Sequence, residues 1–127
     1  MIRSFALAIC LAALGAPAAR AAEPFEGIWA QTARECRDKD GANSRTFIDL
    51  SNRENGRSVP LFDQYEHHCR IGKIARAGAA SKLALTCFEF WDDWRANKDA
   101  RRESATLRPV DAKSLKIDGK RYVRCRD

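Results

Sequence analysis

Apolar and polar residues alternate along much of the chain, in short segments that are separated by turn residues. Between Thr46 and Leu50, for example, positions 46, 48 and 50 fall on one face of a strand and positions 47 and 49 on the other. Asn55-Gly56 and Asp118-Gly119 are strong signals for hairpin turns. About seven or eight such segments, at spacings of roughly ten residues, predict an all-β fold: a small antiparallel β-barrel or sandwich.

The first 21 residues follow a different pattern. Arg3 precedes an apolar run from Phe5 to Leu14, and alanines at positions 19 and 21 flank Arg20. This layout predicts a secretory signal peptide over residues 1–21, and the apolar run is too short to span a bilayer. We therefore expect one β-barrel domain over residues 22–127, periplasmic or secreted, with no membrane span.

Four cysteines follow the predicted signal peptide: Cys36, Cys69, Cys87 and Cys125. An even number in a small exported domain predicts two disulfides, and four cysteines allow three connectivities. A hairpin turn centred on Gly78 would place Cys69 opposite Cys87, which favours that bridge and leaves Cys36 for Cys125. A shift of the register by one residue would remove this argument. Because no Cys-x-x-Cys pair is present, we expect disulfides rather than a metal site.

The net charge is modest and evenly spread. The chain holds 23 Lys and Arg against 17 Asp and Glu, and its charge of +6 falls to +4 when Arg3 and Arg20 leave with the signal peptide. No block of five or more like charges occurs. Such a mixed surface serves solubility, with attraction to an acidic component of the cell envelope as the alternative. We expect no nucleic acid as a partner.

The two ends of the predicted domain carry a pattern known from calycin-type barrels. Gly27-Ile28-Trp29 stands near the start and Tyr122-Val123-Arg124-Cys125 near the end. The chain thus resembles lipocalin-like proteins, in which the tryptophan of a Gly-x-Trp motif plugs one end of the barrel and a basic residue packs across it. The resemblance implies these roles for Trp29 and Arg124, with a cation–π contact of about 0.5–2 kcal/mol.

A wider pattern adds Cys36, the segment from Glu66 to Ile71, and Cys87. It resembles a group of small bacterial secreted proteins without a characterised function, which implies fold and location but no chemistry. The chain is also similar to the Inh family of bacterial metalloprotease inhibitors, small periplasmic barrels that insert an N-terminal arm into the protease. Only residues 22–26 precede Gly27 here, and the cysteine pattern differs, so inhibition by this route is not expected.

Motifs for catalysis are absent from the sequence. No Gly-x-Ser-x-Gly segment occurs, and the cysteines are assigned to disulfides. Asp92 and Asp93, the candidate pair of carboxylates, would diverge on a strand. His67 and His68 would point to opposite faces of a strand and could not easily bind one metal ion. We therefore expect no enzyme, no cofactor and no metal.

The segment from Phe88 to Arg95 is the best candidate for a binding surface. If it continues as a strand, Phe88 and Phe90 share one face and Glu89 and Trp91 the other, and one of these faces is the core face. The rim of the barrel then receives Trp91 and Trp94 together with Arg95, Arg101 and Arg102. Tryptophan and arginine are enriched at interface hot spots, and loops carry function. The alternative is that both tryptophans close the barrel end while the charges solvate a loop or short helix.

Two hypotheses of function follow. The first is a monomeric, non-catalytic binding protein that docks a protein or an envelope component through residues 91–102, for instance as an inhibitor of an exported hydrolase; it predicts an exposed Trp94 and a filled barrel. The second is a calycin-type carrier of a small apolar ligand, which predicts a cavity of about 300–1,000 Å³. Whether Phe47, Phe88, Phe90 and Tyr122 close the interior distinguishes them. Small eight-stranded barrels are usually filled by side chains, which favours the first.

Overall fold

A computed structural model describes residues 20–126, so the predicted signal peptide lies outside the described residues except for Arg20 and Ala21. Within this range the chain forms a closed antiparallel barrel of eight strands. In chain order the elements are β1 (Gly27–Ala30), a 3-10 helix (Glu35–Arg37), β2 (Thr46–Asp49), β3 (Arg53–Glu54), β4 (Arg57–Ser58), β5 (Leu61–Gln64), β6 (His67–Ala77), β7 (Ala80–Phe88), α1 (Trp91–Ala96), β8 (Arg101–Asp111), β9 (Ser114–Ile117) and β10 (Lys120–Arg124). The predicted all-β barrel is confirmed.

The barrel strands follow one another around the wall, and β10 closes the circle on β1. The β3–β4 hairpin stands apart as a separate two-stranded sheet. Its turn residues Asn55 and Gly56 have φ values of 48° and 77°, and Asp118 and Gly119 between β9 and β10 have 49° and 81°. Positive φ at both central residues is the type I′ geometry that suits the twist of a hairpin. Both hairpins predicted from these dipeptides are present.

Alternation along the strands sends one set of side chains into the barrel. The interior is filled by a single hydrophobic cluster, whose largest members include Phe25, Trp29, Phe62, Leu107 and Leu115. Because each such side chain contributes about 1.5–3 kcal/mol when it leaves water, this cluster is the main source of stability. Among the described residues, no helix is long and apolar enough to cross a membrane.

Arg124 joins the two ends of the described chain beside Trp29. Its guanidinium carbon lies 4.2 Å from the centre of the Trp29 ring, and its Nη1 and Nη2 donate hydrogen bonds to the carbonyl oxygens of Glu26 (2.8 Å) and Pro24 (2.9 Å). Gly27 has a φ of +134°, and a Cβ there would lie 2.5 Å from Nη1 of Arg124. This position therefore requires glycine for both backbone and space. Tyr122, the last of the structural residues expected from the sequence, is buried in the core.

Both disulfides pair as the hairpin argument predicted, Cys69 with Cys87 and Cys36 with Cys125. The details of the β6–β7 hairpin differ from the expectation. Its turn consists of Gly78 and Ala79, because Ala77 pairs with Ala80, and this alone would move the register by one residue. A bulge between Ile71 and Ile74 moves it back, so that Cys69 faces Cys87. The predicted disulfide is therefore confirmed because the shift of register at the turn and the shift at the bulge cancel.

Replacement of Trp29 by alanine tests the role of this side chain in the core. Trp29 is fully buried, so Trp29→Ala should lower the free energy of unfolding by about 3–5 kcal/mol. The change leaves a cavity and removes the indole ring against which Arg124 packs. Urea unfolding followed by far-ultraviolet circular dichroism measures the difference. A loss below about 1 kcal/mol would contradict the plug role.

Candidate functional site

Trp94 lies in α1, and its position corrects the expectation of an exposed side chain. It is only 2% exposed, because α1 lays it against the outer wall of the barrel. Its ring contacts Phe88 edge to face at 5.8 Å, and its Nε1 donates a hydrogen bond of 2.9 Å to Oε1 of Glu54 on β3. Trp94 is thus a structural residue that joins the helix, the barrel and the β3–β4 hairpin, and it cannot contact a partner directly.

Arg70 holds α1 in place from the outward face of β6. Its guanidinium carbon lies 4.5 Å from the centre of the Trp94 ring and 4.9 Å from that of Phe88. Its nitrogens also donate hydrogen bonds to the carbonyl oxygen of Trp94 (2.7 Å) and to Oδ1 of Asn97 (2.9 Å). Asn97 ends the helix in the left-handed conformation. One arginine therefore binds both the ring and the C-terminal end of this helix.

Phe90 is the second correction, since it does not lie on the same face of a strand as Phe88. The strand β7 ends at Phe88, and the chain turns into α1 at Trp91. Phe88 is fully buried under Trp94, whereas Phe90 is 53% exposed. The period-two alternation fails here because the strand ends at Phe88, two residues before Phe90.

Trp91 is partly exposed and is held by His68. The two rings stack with their centres 4.0 Å apart and an angle of 23° between their planes. Nδ1 of His68 lies 2.5 Å from Oδ1 of Asp63 on β5. Burial raises the pKa of the Asp63 carboxyl above its ordinary value, although the hydrogen bond with His68 opposes the rise. Trp91 thus stacks on His68, contacts the Trp94 ring edge to face at 5.2 Å, and remains 38% exposed.

An aromatic groove, defined by Tyr65, Phe90 and Trp91, runs along this surface and encloses about 320 Å³. Among residues 20–126, four large hydrophobic side chains are exposed, and the fourth is Val110 on β8. Three of these four thus line one groove. Most exposed apolar side chains on a monomer are scattered singly, so a cluster of three aromatic rings marks a candidate interaction site.

The basic residues predicted for this surface lie outside the aromatic groove, although Arg95 borders a neighbouring pocket together with Trp91 and Trp94. Arg95 is on the exposed side of α1, where it forms an ion pair with Asp92 at 2.5 Å. Arg101 and Arg102 follow each other on β8 and therefore point to opposite faces. None of the three arginines lines the aromatic groove. Of the five predicted binding residues, the groove contains Trp91 alone, while Tyr65 and Phe90 were not predicted.

A second group of polar side chains lies inside the mouth of the barrel, the end at which β5 ends and β6 begins. Nε2 of His67 lies 2.5 Å from Oε2 of Glu103, and Nδ1 lies 3.1 Å from Oε1 of Gln64. Desolvation opposes ionisation of Glu103, but the hydrogen bond with His67 and the charges of His67 and Arg101 outweigh it and lower the pKa of this carboxyl. A cavity of about 270 Å³ opens beside the pair. As predicted, His67 and His68 face opposite sides of the wall.

Comparisons of the chain with protein-family models, with curated proteins and with solved structures found no match. The resemblance to calycin-type barrels and to small secreted bacterial proteins therefore stays a prediction. Function has to be inferred from the groove and the mouth themselves.

The two tryptophans of α1 should respond differently to truncation. Trp94→Ala should lower the free energy of unfolding by about 3–5 kcal/mol, because it empties a buried site and leaves Glu54 and Arg70 without their partner. Trp91→Ala is the matched control and should cost about 1 kcal/mol or less, because its ring is already 38% exposed. Urea unfolding of both variants measures the difference. Equal losses of stability in the two variants would show that Trp91 supports the fold as much as Trp94 does, in spite of its greater exposure.

Proposed function

We propose that the protein is a non-catalytic binding protein that docks a partner protein through the aromatic groove. The observation that supports this most directly is the clustering of Tyr65, Phe90 and Trp91 in one groove, since Val110 is the one other large hydrophobic side chain of residues 20–126 that is exposed. Large aromatic side chains dominate the energetics of protein interfaces. A groove of about 320 Å³ accepts one or two side chains of a partner, not a helix.

The charge around the groove indicates which side chains it would accept. Although the whole chain carries +6, four carboxylates line this groove against two cations, Lys39 and Arg45, and one of the four, that of Asp63, is already paired with His68. The four are those of Asp40, Asp63, Glu66 and Glu89. A lysine or arginine of the partner would lie over the aromatic faces and near these carboxylates, in a cation–π contact of about 0.5–2 kcal/mol. The partner is therefore a protein with an exposed basic segment, and an exported hydrolase is one form that it could take.

The Trp91 side of the groove is held by contacts within the protein before any partner binds. Trp91 is stacked on His68, and α1, which carries Trp91, is held by Arg70 from the barrel wall. Side chains that are already ordered lose less conformational entropy on binding than mobile ones. A preformed surface of this kind suits docking better than a mobile loop would.

A carrier of a small apolar ligand has less support. The hydrophobic cluster occupies the barrel interior, and three of the four aromatics that could have lined a cavity, Phe47, Phe88 and Phe90, lie outside it. The cavity that remains at the mouth is bordered by His67, Glu103 and Gln64, which suit a polar ligand. Apolar carriers need a larger cavity, with mainly hydrophobic lining.

Site-specific crosslinking tests the proposed docking surface. A photoreactive benzoylphenylalanine at position 90, in the full chain expressed in cells that export it, should form a covalent adduct with one protein on irradiation. The matched control carries the same group at position 110, because Val110 is equally exposed, at 47%, but lies outside the groove. Mass spectrometry identifies the adducts and the crosslinked segment of the partner.

The adduct from position 90 should decrease about tenfold or more when Trp91→Ala is added, which corresponds to the loss of one hot-spot residue. Substitution of the lysines or arginines of the crosslinked segment by glutamate should have the same effect. Identical adducts at positions 90 and 110, or an adduct with lipid or polysaccharide instead of protein, would overturn the proposal.

A further inference from the structure

Four side chains that are able to bind a metal ion converge inside the mouth of the barrel. His67 and Cys69 come from β6, Cys87 from β7 and Glu103 from β8, and one ligand atom of each lies within 4.8 Å of all the others. The set arises from the strand register, since Cys69 pairs with Cys87, and Glu103 pairs with Leu85, two residues before Cys87. In the oxidised protein the two sulfurs are bonded to each other and are poor metal ligands.

We propose that these residues form a redox-controlled zinc site, which assembles when the Cys69–Cys87 disulfide is reduced. A dithiol reductant supplies two electrons and two protons, the S–S bond breaks, and the reductant becomes a disulfide. Binding of Zn²⁺ then releases the two thiol protons and gives two thiolates, one imidazole and one carboxylate around the ion. Thiolate, imidazole and carboxylate are each ligands that Zn²⁺ accepts, and structural zinc sites hold four ligands in a tetrahedron. This site is independent of the aromatic groove.

The arrangement of the four atoms fits a zinc ion after small side-chain movements. Zn–S bonds of about 2.3 Å and Zn–N bonds of about 2.0 Å place tetrahedral ligands roughly 3.3–3.8 Å apart. The largest separation among the four atoms, at most 4.8 Å, exceeds this by about one ångström, and Sγ of Cys69 already lies 3.5 Å from Nε2 of His67. Rotation of the side chains can close the longer distances and separate the two sulfurs once their bond is broken. At present Nε2 of His67 and Oε2 of Glu103 contact each other through a hydrogen atom, and the ion would take its place.

The surrounding residues complete the site. Oε1 of Gln64 contacts Nδ1 of His67 at 3.1 Å and so directs Nε2 toward the ion, and Thr46 holds Gln64 by a further hydrogen bond of 3.1 Å. Such partners fix the orientation of ligating histidines in metal sites. Two thiolates and a carboxylate would exceed the charge of Zn²⁺ by one, and Arg101, whose Nε lies 3.4 Å from Oε1 of Glu103, offsets this excess. The cavity at the mouth, which His67 and Glu103 border, provides an entry path.

Cobalt titration of the reduced protein tests the proposal. The full chain, reduced with a phosphine, should bind one Co²⁺ and show the near-ultraviolet thiolate-to-cobalt band together with the visible bands of a tetrahedral ion, and Zn²⁺ should abolish both. His67→Gln should weaken binding at least about tenfold, since disturbance of an outer partner alone has effects of this size. His68→Gln is the matched control and should bind cobalt like the unchanged protein, because His68 faces the other side of the wall.

A second control addresses the other disulfide. Cys69→Ser/Cys87→Ser retains the thiols of Cys36 and Cys125 after reduction and should show no thiolate band. Far-ultraviolet circular dichroism follows the fold throughout, and if reduction unfolds the chain, Zn²⁺ should restore the native spectrum. The proposal is wrong if the reduced chain gives no band, if His67→Gln and His68→Gln bind equally, if the serine variant gives the same band, or if the reduced chain stays unfolded with Zn²⁺.

Discussion

The pairing of β6 with its two neighbours is the constraint on which both sites depend. Successive residues of a strand point to opposite faces, so this one strand sends His67 and Cys69 into the barrel and His68 and Arg70 out of it. The inward pair belongs to the mouth, and the outward pair positions Trp91 and α1. A shift of β6 by one residue would exchange the two sets, and neither site would exist.

The pairing of Cys69 with Cys87 could be predicted from the sequence, but the turn and the bulge that produce this register could not. Alternation and the turn near Gly78 were enough to place Cys69 opposite Cys87, whereas the two-residue turn and the bulge at Gly72 and Lys73 were not foreseen. A bulge depends on contacts between neighbouring strands, and short-range pattern does not reveal it. The barrel, the hairpins at Asn55 and Asp118 and the contact between Arg124 and Trp29 were within reach because each rests on local turn chemistry or on a short motif.

The surface around α1 was harder to predict because its stabilising contacts are distant in sequence. Glu54 and Arg70 bury Trp94. The hydrogen bond between Trp94 and Glu54 joins residues 40 positions apart, and the contact between Arg70 and Trp94 joins residues 24 apart, so the local sequence pattern predicts neither. One signal was available: Trp91 and Trp94 are three residues apart, a helical spacing, and Asp92 and Asp93 are typical of the first turn of a helix. A helix from Trp91 would have ended the strand before Phe90 and left its side chain in solvent.

The cluster of possible metal ligands could not be predicted from the sequence either, because its members are also distant along the chain. Metal sites recognisable from sequence place their ligands close together, whereas here three strands each contribute to one point and the ligands span residues 67–103. The backbone hydrogen bonds of β6 to β5 and β7 direct His68 and Arg70 outward, and none of these bonds passes through the disulfide. As long as a zinc-bound mouth keeps this strand pairing, the aromatic groove keeps the shape that it has beside the disulfide.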